Sequence, residues 1–334
     1  MALRSRVLSV TGILRFGFLT LLLALNCLAL AASTTLAKPA FPEKAIAMII
    51  TFAPGGGRDT LGRGVGRALE KYLGVPVVIK NIPGAGGVIG LVRFYKSQPD
   101  GYTIALSCGP DVLTEMIRDV DYDTSKFVYV GRVQSSPSFT FVRADSPFNS
   151  VSDFKKYGKT IRYAAFRLTS GATVTNMVLA KEMGYPFEIV PGYKSVAETL
   201  VGLVRGDVEV AGSLLSAALP FVQAGDVRCI SVNGYERHTL FPDVPTVGEI
   251  GFPDLGFVGT LDYWLMAPPG TPKDKIEILE AALEKAVKDP EFVAWAEKAG
   301  IDVAYLPAEE TRKLALGLKE SLAKYKPVIL PYLQ

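Results

Sequence analysis

A continuous apolar run, Ile46–Phe52, stops abruptly at Ala53-Pro54-Gly55-Gly56-Gly57-Arg58-Asp59, and helical spacing starts at Arg58. This junction constrains the fold more than any other feature of the chain. A run without alternation is a strand covered on both faces, as in parallel sheets. Leu61, Val65, Leu69 and Tyr72 then mark one face of a helix over Arg58–Leu73, which Gly74 ends. The pattern recurs at once. Val75–Lys80 is a β-branched strand, Asn81–Gly87 a second glycine-rich loop, Gly87–Lys96 a helix, Pro99-Asp100-Gly101 a turn and Thr103–Ser107 a third strand. The order β-α-β-α-β predicts an α/β domain built on a mainly parallel sheet.

The second half repeats the style. Strands are predicted at Ile161–Phe166, Phe187–Val190, Val208–Ala211 and Val227–Val232. Helices are predicted at Ala172–Met183, Val196–Arg205 and Leu214–Ala224. Thr271-Pro272 opens a further helix with Ile276, Leu279, Leu283 and Val287 on its apolar face. Pro290 begins another, and residues 308–325 make the last. At 334 residues, two domains of ordinary size are expected.

The first 37 residues read as an export signal. Arg4, Arg6 and Arg15 precede the uncharged run Phe16–Ala32, and small residues follow at Ala29-Leu30-Ala31 and Thr35-Leu36-Ala37. Removing 1–37 removes three arginines and no acid. The net charge of +3 falls to 0, with 33 basic against 33 acidic side chains. Such a chain is not a nucleic-acid binder on charge. A single histidine, His238, excludes a multi-histidine metal site, and three cysteines cannot make a four-thiolate zinc site. Cys108 and Cys229 remain after export and read as two buried thiols. No cofactor is expected.

The chemistry lies in the glycine loops. Each sits between a strand and a helix start, where free N–H groups and the positive end of the helix dipole make an anion site. Glycine lets the backbone take positive φ and approach a ligand closely. Both loops fall at the carboxyl ends of neighbouring strands, where open α/β sheets bind ligands. Gly57 and Gly62 have P-loop spacing, but Arg63-Gly64 follow instead of Lys-Ser/Thr. Lys80-Asn81 stand where a dinucleotide fold wants an acid for the ribose. A carboxylate is the remaining common anion. Charge-assisted hydrogen bonds of about 1.5–3 kcal/mol each, from three or four donors, supply much of the roughly 8 kcal/mol of a micromolar binder.

Phe41-Pro42-Glu43-Lys44, Ala53–Asp59, Asn81–Gly87, Pro99–Tyr102 and Phe241-Pro242-Asp243-Val244-Pro245-Thr246-Val247 occur in an order and spacing that resembles one family. It is that of the substrate-binding proteins of tripartite tricarboxylate transporters, the TctC or Bug type, and the likeness covers about residues 41 to 330. The resemblance implies a two-lobed type II periplasmic binding protein, each lobe a mainly parallel sheet flanked by helices. It implies lobe 1 at 38–141 plus 260–334 and lobe 2 at 142–259, joined by crossover strands, and Gly and β-strand residues near Phe139–Arg143 and Phe257–Tyr263 are the candidate hinges. The implied partners are a small carboxylate (a di- or tricarboxylate or an aromatic acid) and a large and a small membrane permease subunit. A membrane sensor kinase is the alternative recipient, and a monomer is expected.

By this comparison the ligand touches Ala53, Pro54, Gly55, Gly56, Gly57, Arg58 and Asp59 of the first loop and Pro83, Gly84, Ala85, Gly86 and Gly87 of the second. Ser107, Arg167, Thr169, Ser170, Gly171, Tyr193, Lys194 and Ser195 also fall at pocket-facing positions. Thr173 stands where the family often has His, and Ser213 where it commonly has Asp. Arg58 and Arg167 are cations where small residues are frequent. The missing acid removes a partner for an amino group, so a ligand without ammonium is expected. An enzyme is the rival class. A hydrolytic triad has only His238 to use, and no Gly-x-Ser-x-Gly elbow surrounds a serine. His238 itself, in a polar turn, is expected to be exposed.

Overall fold

A computed structural model describes residues 41–333; the predicted signal, 1–37, lies outside them. A compact unit begins at Lys44. Its first strand, β1 (Ile46–Ile50), has Ile46, Met48 and Ile50 fully buried and Ile49 nearly so, as the unbroken apolar run requires. It pairs in parallel with β2 (Val77–Asn81) and β3 (Thr103–Cys108). Helix α1 (Gly57–Leu73) buries Leu61, Val65, Leu69 and Leu73. Tyr72, predicted on that face, instead turns outward and donates its hydroxyl to Asp289 at 2.7 Å. Helix α2 (Val88–Tyr95) follows the second glycine loop.

Helix α3 (Gly109–Ile117) begins directly at the end of β3 and has no counterpart in the sequence reading. Gly109-Pro110 looks like a turn, but proline fits the first turn of a helix, where its missing N–H costs nothing. Of the long strand β4 (Val128–Arg143), only the end near Phe139–Arg143 is read as strand from the sequence. Gly131, Pro137 and the polar stretch Gln134–Ser138 hide its strand character.

In the second lobe α4 (Asp153–Tyr157) leads to β5 (Ile161–Ala164), which pairs in parallel with β6 (Phe187–Val190) and β7 (Val210–Leu214). Helices α5 (Gly171–Met183), α6 (Val196–Arg205) and α7 (Leu215–Gln223) connect them, and β8 (Val227–Asn233) follows. After α8 (Leu255–Gly259) the chain returns along β9 (Thr260–Ala267) to α9 (Lys273–Lys288), α10 (Pro290–Lys298) and β10 (Val303–Pro307). The last helix, α11 (Ala308–Leu333), runs past its predicted end at residue 325, through Pro327 and Pro331.

Strand β4 joins the two sheets. Val128–Pro137 pairs with β9, and Gly131–Gln134 with β10. From Ser138 onward it pairs with β7 and β8. Pro137 has no N–H for the ladder, and the partners change at that residue. The spatial order is β2-β1-β3-β9-β4-β7-β5-β6, with β8 and β10 also on β4. The buried pair Arg132–Asp262, at 3.1 Å, ties β4 to β9, and the Tyr235 hydroxyl donates to Asp262 at 3.2 Å. Helix α11 packs across both halves. Lys319 bridges Glu115 and Asp123, Lys324 pairs with Asp254, and Tyr332 stacks on Phe187. No helix among the described residues is long and apolar enough to cross a membrane.

Candidate functional site

Each glycine loop turns sharply and leads into a helix start. Gly55 has φ +88°, and Gly56 then leads into α1 with no side chain capping that helix. The first N–H groups of α1 therefore face outward from an exposed turn. Asp59 shapes the turn from beneath: it accepts from the Gly55 N–H at 2.9 Å, from Arg63 at 2.9 Å and from Asn81 at 2.9 Å. Asn81 heads the second loop, so one carboxylate fixes both loops. The Arg63 hydrogen bond, with those from Gly55 and Asn81, holds Asp59 at about 2 against the cost of burial. In the second loop Gly84, Ala85, Gly86 and Gly87 have φ of +135°, +48°, +70° and +101°. Four successive residues in that region need glycine at most of them.

Both loops open on a cavity of about 630 Å³. Gly56, Gly57, Arg58, Ala85 and Gly86 line it from the first lobe, and Arg167, Thr169, Ser170, Gly171 and Ser213 from the second. Helix α5 enters with Ser170 as its cap, accepting from the Thr173 N–H at 3.2 Å. Gly171 is dictated by packing, since a Cβ there would stand 2.3 Å from the Val258 carbonyl oxygen. Helix α7 starts at Leu214-Leu215 with no side-chain cap, and Leu214 lines the cavity. Two uncapped helix N-termini, α1 and α7, thus meet one cavity from opposite lobes.

Arg58 is neither solvated nor free. It is 7% exposed, and Asp111 takes its guanidinium through contacts at 3.0 and 3.3 Å. Thr51 accepts from it at 2.6 Å, and the Cys108 sulfur is a further partner. Phe52 and Tyr263 stack on it, with centroids at 4.6 and 5.8 Å. Burial lowers its pKa; the charge and hydrogen bond of Asp111, together with Cys108 and Tyr263, more than offset that and hold it above the ordinary value. Asp111 is equally committed, also accepting from the Ser107 hydroxyl at 2.7 Å and the Cys108 N–H at 3.2 Å. The sequence reading missed Asp111, Cys108, Tyr263 and the apolar wall. An acid at the third position of a helix following a strand is the one signal that pointed to Asp111.

Other expected residues serve the site from behind or stand apart from it. Ser107 is buried and orients Asp111. Thr173 is buried and shares a hydrogen bond with Ser170 at 2.8 Å. Ser213 lines the cavity but donates its hydroxyl to the Leu214 carbonyl at 2.8 Å. Ala53, Pro54, Gly55, Asp59, Pro83, Gly84 and Gly87 belong to the loops without lining the cavity. Tyr193 packs its ring on Gly202, Lys194 is exposed, and Ser195 caps α6 by accepting from the Glu198 N–H at 3.1 Å. Val196, one residue on, reaches the cavity instead. His238 is half-buried rather than exposed; Phe139 lies edge-on at 5.3 Å, and its Nδ1 accepts from the Leu240 N–H. Cys108 and Cys229 are buried free thiols, and burial pushes each up to about 12.

The charged residues lining the cavity are Arg58, Asp111, Arg118 and Arg167. With Arg58 and Asp111 paired, the unbalanced charge is positive and comes from two exposed arginines, one on each lobe.

Comparison with known proteins gives a consistent picture. The profile of the tripartite tricarboxylate transporter family receptor matches residues 61–331. Protein BugT of Bordetella pertussis is 30% identical over 302 residues, spanning 86% of this chain and 92% of that protein. The crystal structure of a TctC solute binding protein from Polaromonas, without ligand, shares the fold with a TM-score of 0.75 at 24% identity, over 85% and 99% of the two chains. MatC from Rhodopseudomonas palustris, with bound malate, aligns with a TM-score of 0.63 at 26% identity, over 86% and 100%.

Proposed function

The chain belongs to the tripartite tricarboxylate transporter receptor family, and from that premise we propose that it is a periplasmic receptor that closes two lobes on a small carboxylate without an ammonium group and passes it to a membrane permease. The observation that carries this reading is the pair of uncapped helix N-termini, α1 and α7, opening on one cavity from opposite lobes. Their orphan N–H groups and dipoles favour an anion. The cavity offers no free carboxylate to an ammonium, because Arg58 engages Asp111 fully. The malate bound by MatC supports a carboxylate as the ligand class.

The change of partners at Ser138 on β4, and the start of β9 at Thr260, support lobe boundaries near 141 and 259. Contacts from both lobes stabilise the closed state, and that differential affinity drives closure. The family membership supports the export and the delivery to a permease that this reading includes.

Calorimetry with succinate and aspartate, which differ by one ammonium, tests the binding step. Succinate binds, and aspartate binds at least tenfold more weakly. Tighter aspartate binding would refute the missing ammonium partner. Silence toward succinate, malate and other carboxylates, with a nucleotide or sugar raising Tm, would refute the anion cradle. Uptake of the bound acid should fall in a strain lacking the receptor; unimpaired uptake would remove the transport role.

A further inference from the structure

Resting on the carboxylate reading, we infer that an apolar chamber beside the helix N-termini receives the non-polar body of the ligand, so that the acid bound is amphipathic, one carboxylate on an aryl or alkyl body. The chamber is walled by Leu113 and Ile117 of α3, Val174 of α5, Phe257 of α8, and Leu318 and Leu322 of α11. None of these side chains carries a hydrogen-bond donor or acceptor. Leu113, Val174, Leu318 and Leu322 are each at most 3% exposed, yet all four face the cavity.

The chamber adjoins the polar end directly. A Cβ on Gly109 would lie 3.1 Å from Leu318, so the apolar wall starts one residue beyond Cys108. Gly317 lets the Phe257 ring lie against α11, where a Cβ would meet the ring at 3.1 Å. A second carboxylate placed against these six side chains meets no donor among them, so the wall itself does not compensate its desolvation; Arg58 is held by Asp111, and Arg118 and Arg167 carry their charge at exposed positions of the cavity lining.

Size agrees with chemistry. About 630 Å³ falls within the roughly 300–1,000 Å³ of clefts that take drug-sized ligands. A four-carbon diacid leaves most of it unfilled. A preformed cavity with apolar walls and a few convergent polar groups is the usual form of a site for a larger, mostly apolar ligand.

The probes are succinate and 3-phenylpropanoate, which share a propanoate and exchange the second carboxylate for a phenyl ring. Burying a ring gives roughly a hundredfold or more on area alone, and ordering costs reduce it. The expected result on the intact protein is that 3-phenylpropanoate binds at least tenfold more tightly than succinate. Leu318→Asn should cost it at least fivefold while succinate changes less than twofold. Because Leu318 is buried, the half-buried Ile117→Asn provides a second variant, with the same expectation. Succinate binding as tightly as 3-phenylpropanoate overturns the inference and leaves the carboxylate reading intact. Variants that weaken both acids equally overturn it too. Binding of neither acid, nor of malate, overturns the carboxylate reading itself and this inference with it.

Discussion

Asp111→Asn isolates the central ion pair of the cavity wall. Asp111 and Arg58 are 3% and 7% exposed, and the guanidinium meets the carboxylate at 3.0–3.3 Å. Removing one partner of a buried pair costs about 3–5 kcal/mol, because the other charge stays buried without compensation. Asparagine keeps one oxygen toward Arg58 and Ser107, so the lower end, about 3 kcal/mol, is expected. The exposed pair Arg205–Asp207, at 64% and 47% exposure, is the control. Asp207→Asn should cost under about 1 kcal/mol. Urea unfolding at neutral pH reads both. The double change Arg58→Met with Asp111→Leu should recover most of the loss, since a buried pair is often replaceable by apolar groups. The freed Arg58 charge of Asp111→Asn should also tighten binding of a monocarboxylate, while Asp207→Asn leaves it unchanged. An Asp111→Asn protein as stable as Asp207→Asn would refute the claim that Arg58 depends on this carboxylate.

Three further outcomes follow from the geometry. Asp59, at about 2, and Asp289, lowered to about 2 chiefly by Lys71, titrate below the ordinary aspartate value of 3.8; their stabilisation is present above that value and is lost as pH falls through about 2. The urea midpoint should therefore drop between about pH 4 and 2 and drop less in Asp59→Asn; a wild-type midpoint flat across that window would contradict the assignment. Both thiols, pushed up to about 12 by burial, should resist a thiol reagent at pH 8 until the protein is unfolded, and fast labelling of the native protein would show otherwise. Gly171→Ala forces a Cβ against the Val258 carbonyl oxygen at 2.3 Å, and should cost about 1–3 kcal/mol together with ligand affinity, whereas an unchanged urea midpoint would mean that α5 and α8 are not in contact there.

Elements specified by local pattern were legible. The apolar run of β1, the spacing of α1 and the loop-helix junctions at Gly57 and Val88 appear in the chain as they appear in space. In the second lobe β6 and α6 fall on their predicted residues. Glycine is informative because a positive φ or a close approach acts on one residue and leaves its mark there. Strand β4 was legible only at its end, near Phe139–Arg143. Its residues alternate poorly and include Pro137, and it is a strand because β7, β8, β9 and β10 all pair with it. Each of those partners comes from elsewhere in the chain.

The site divides in the same way. The uncapped helix starts after the glycine loops were set by sequence, since backbone N–H groups at a helix start need no distant partner to point outward. The state of Arg58 was decided only by folding. A helix-start arginine reads as a solvated cation or a ligand contact until Asp111, 53 residues away, is brought to 3.0 Å and neutralises it. Thr173 and Ser107 look like ligand groups until burial turns them toward Ser170 and Asp111. The apolar chamber depends on α11, whose Leu318 reaches α3 from the far end of the chain. Local propensity fixes which backbone groups are free; long-range packing fixes which charges remain unpaired and which surfaces stay dry.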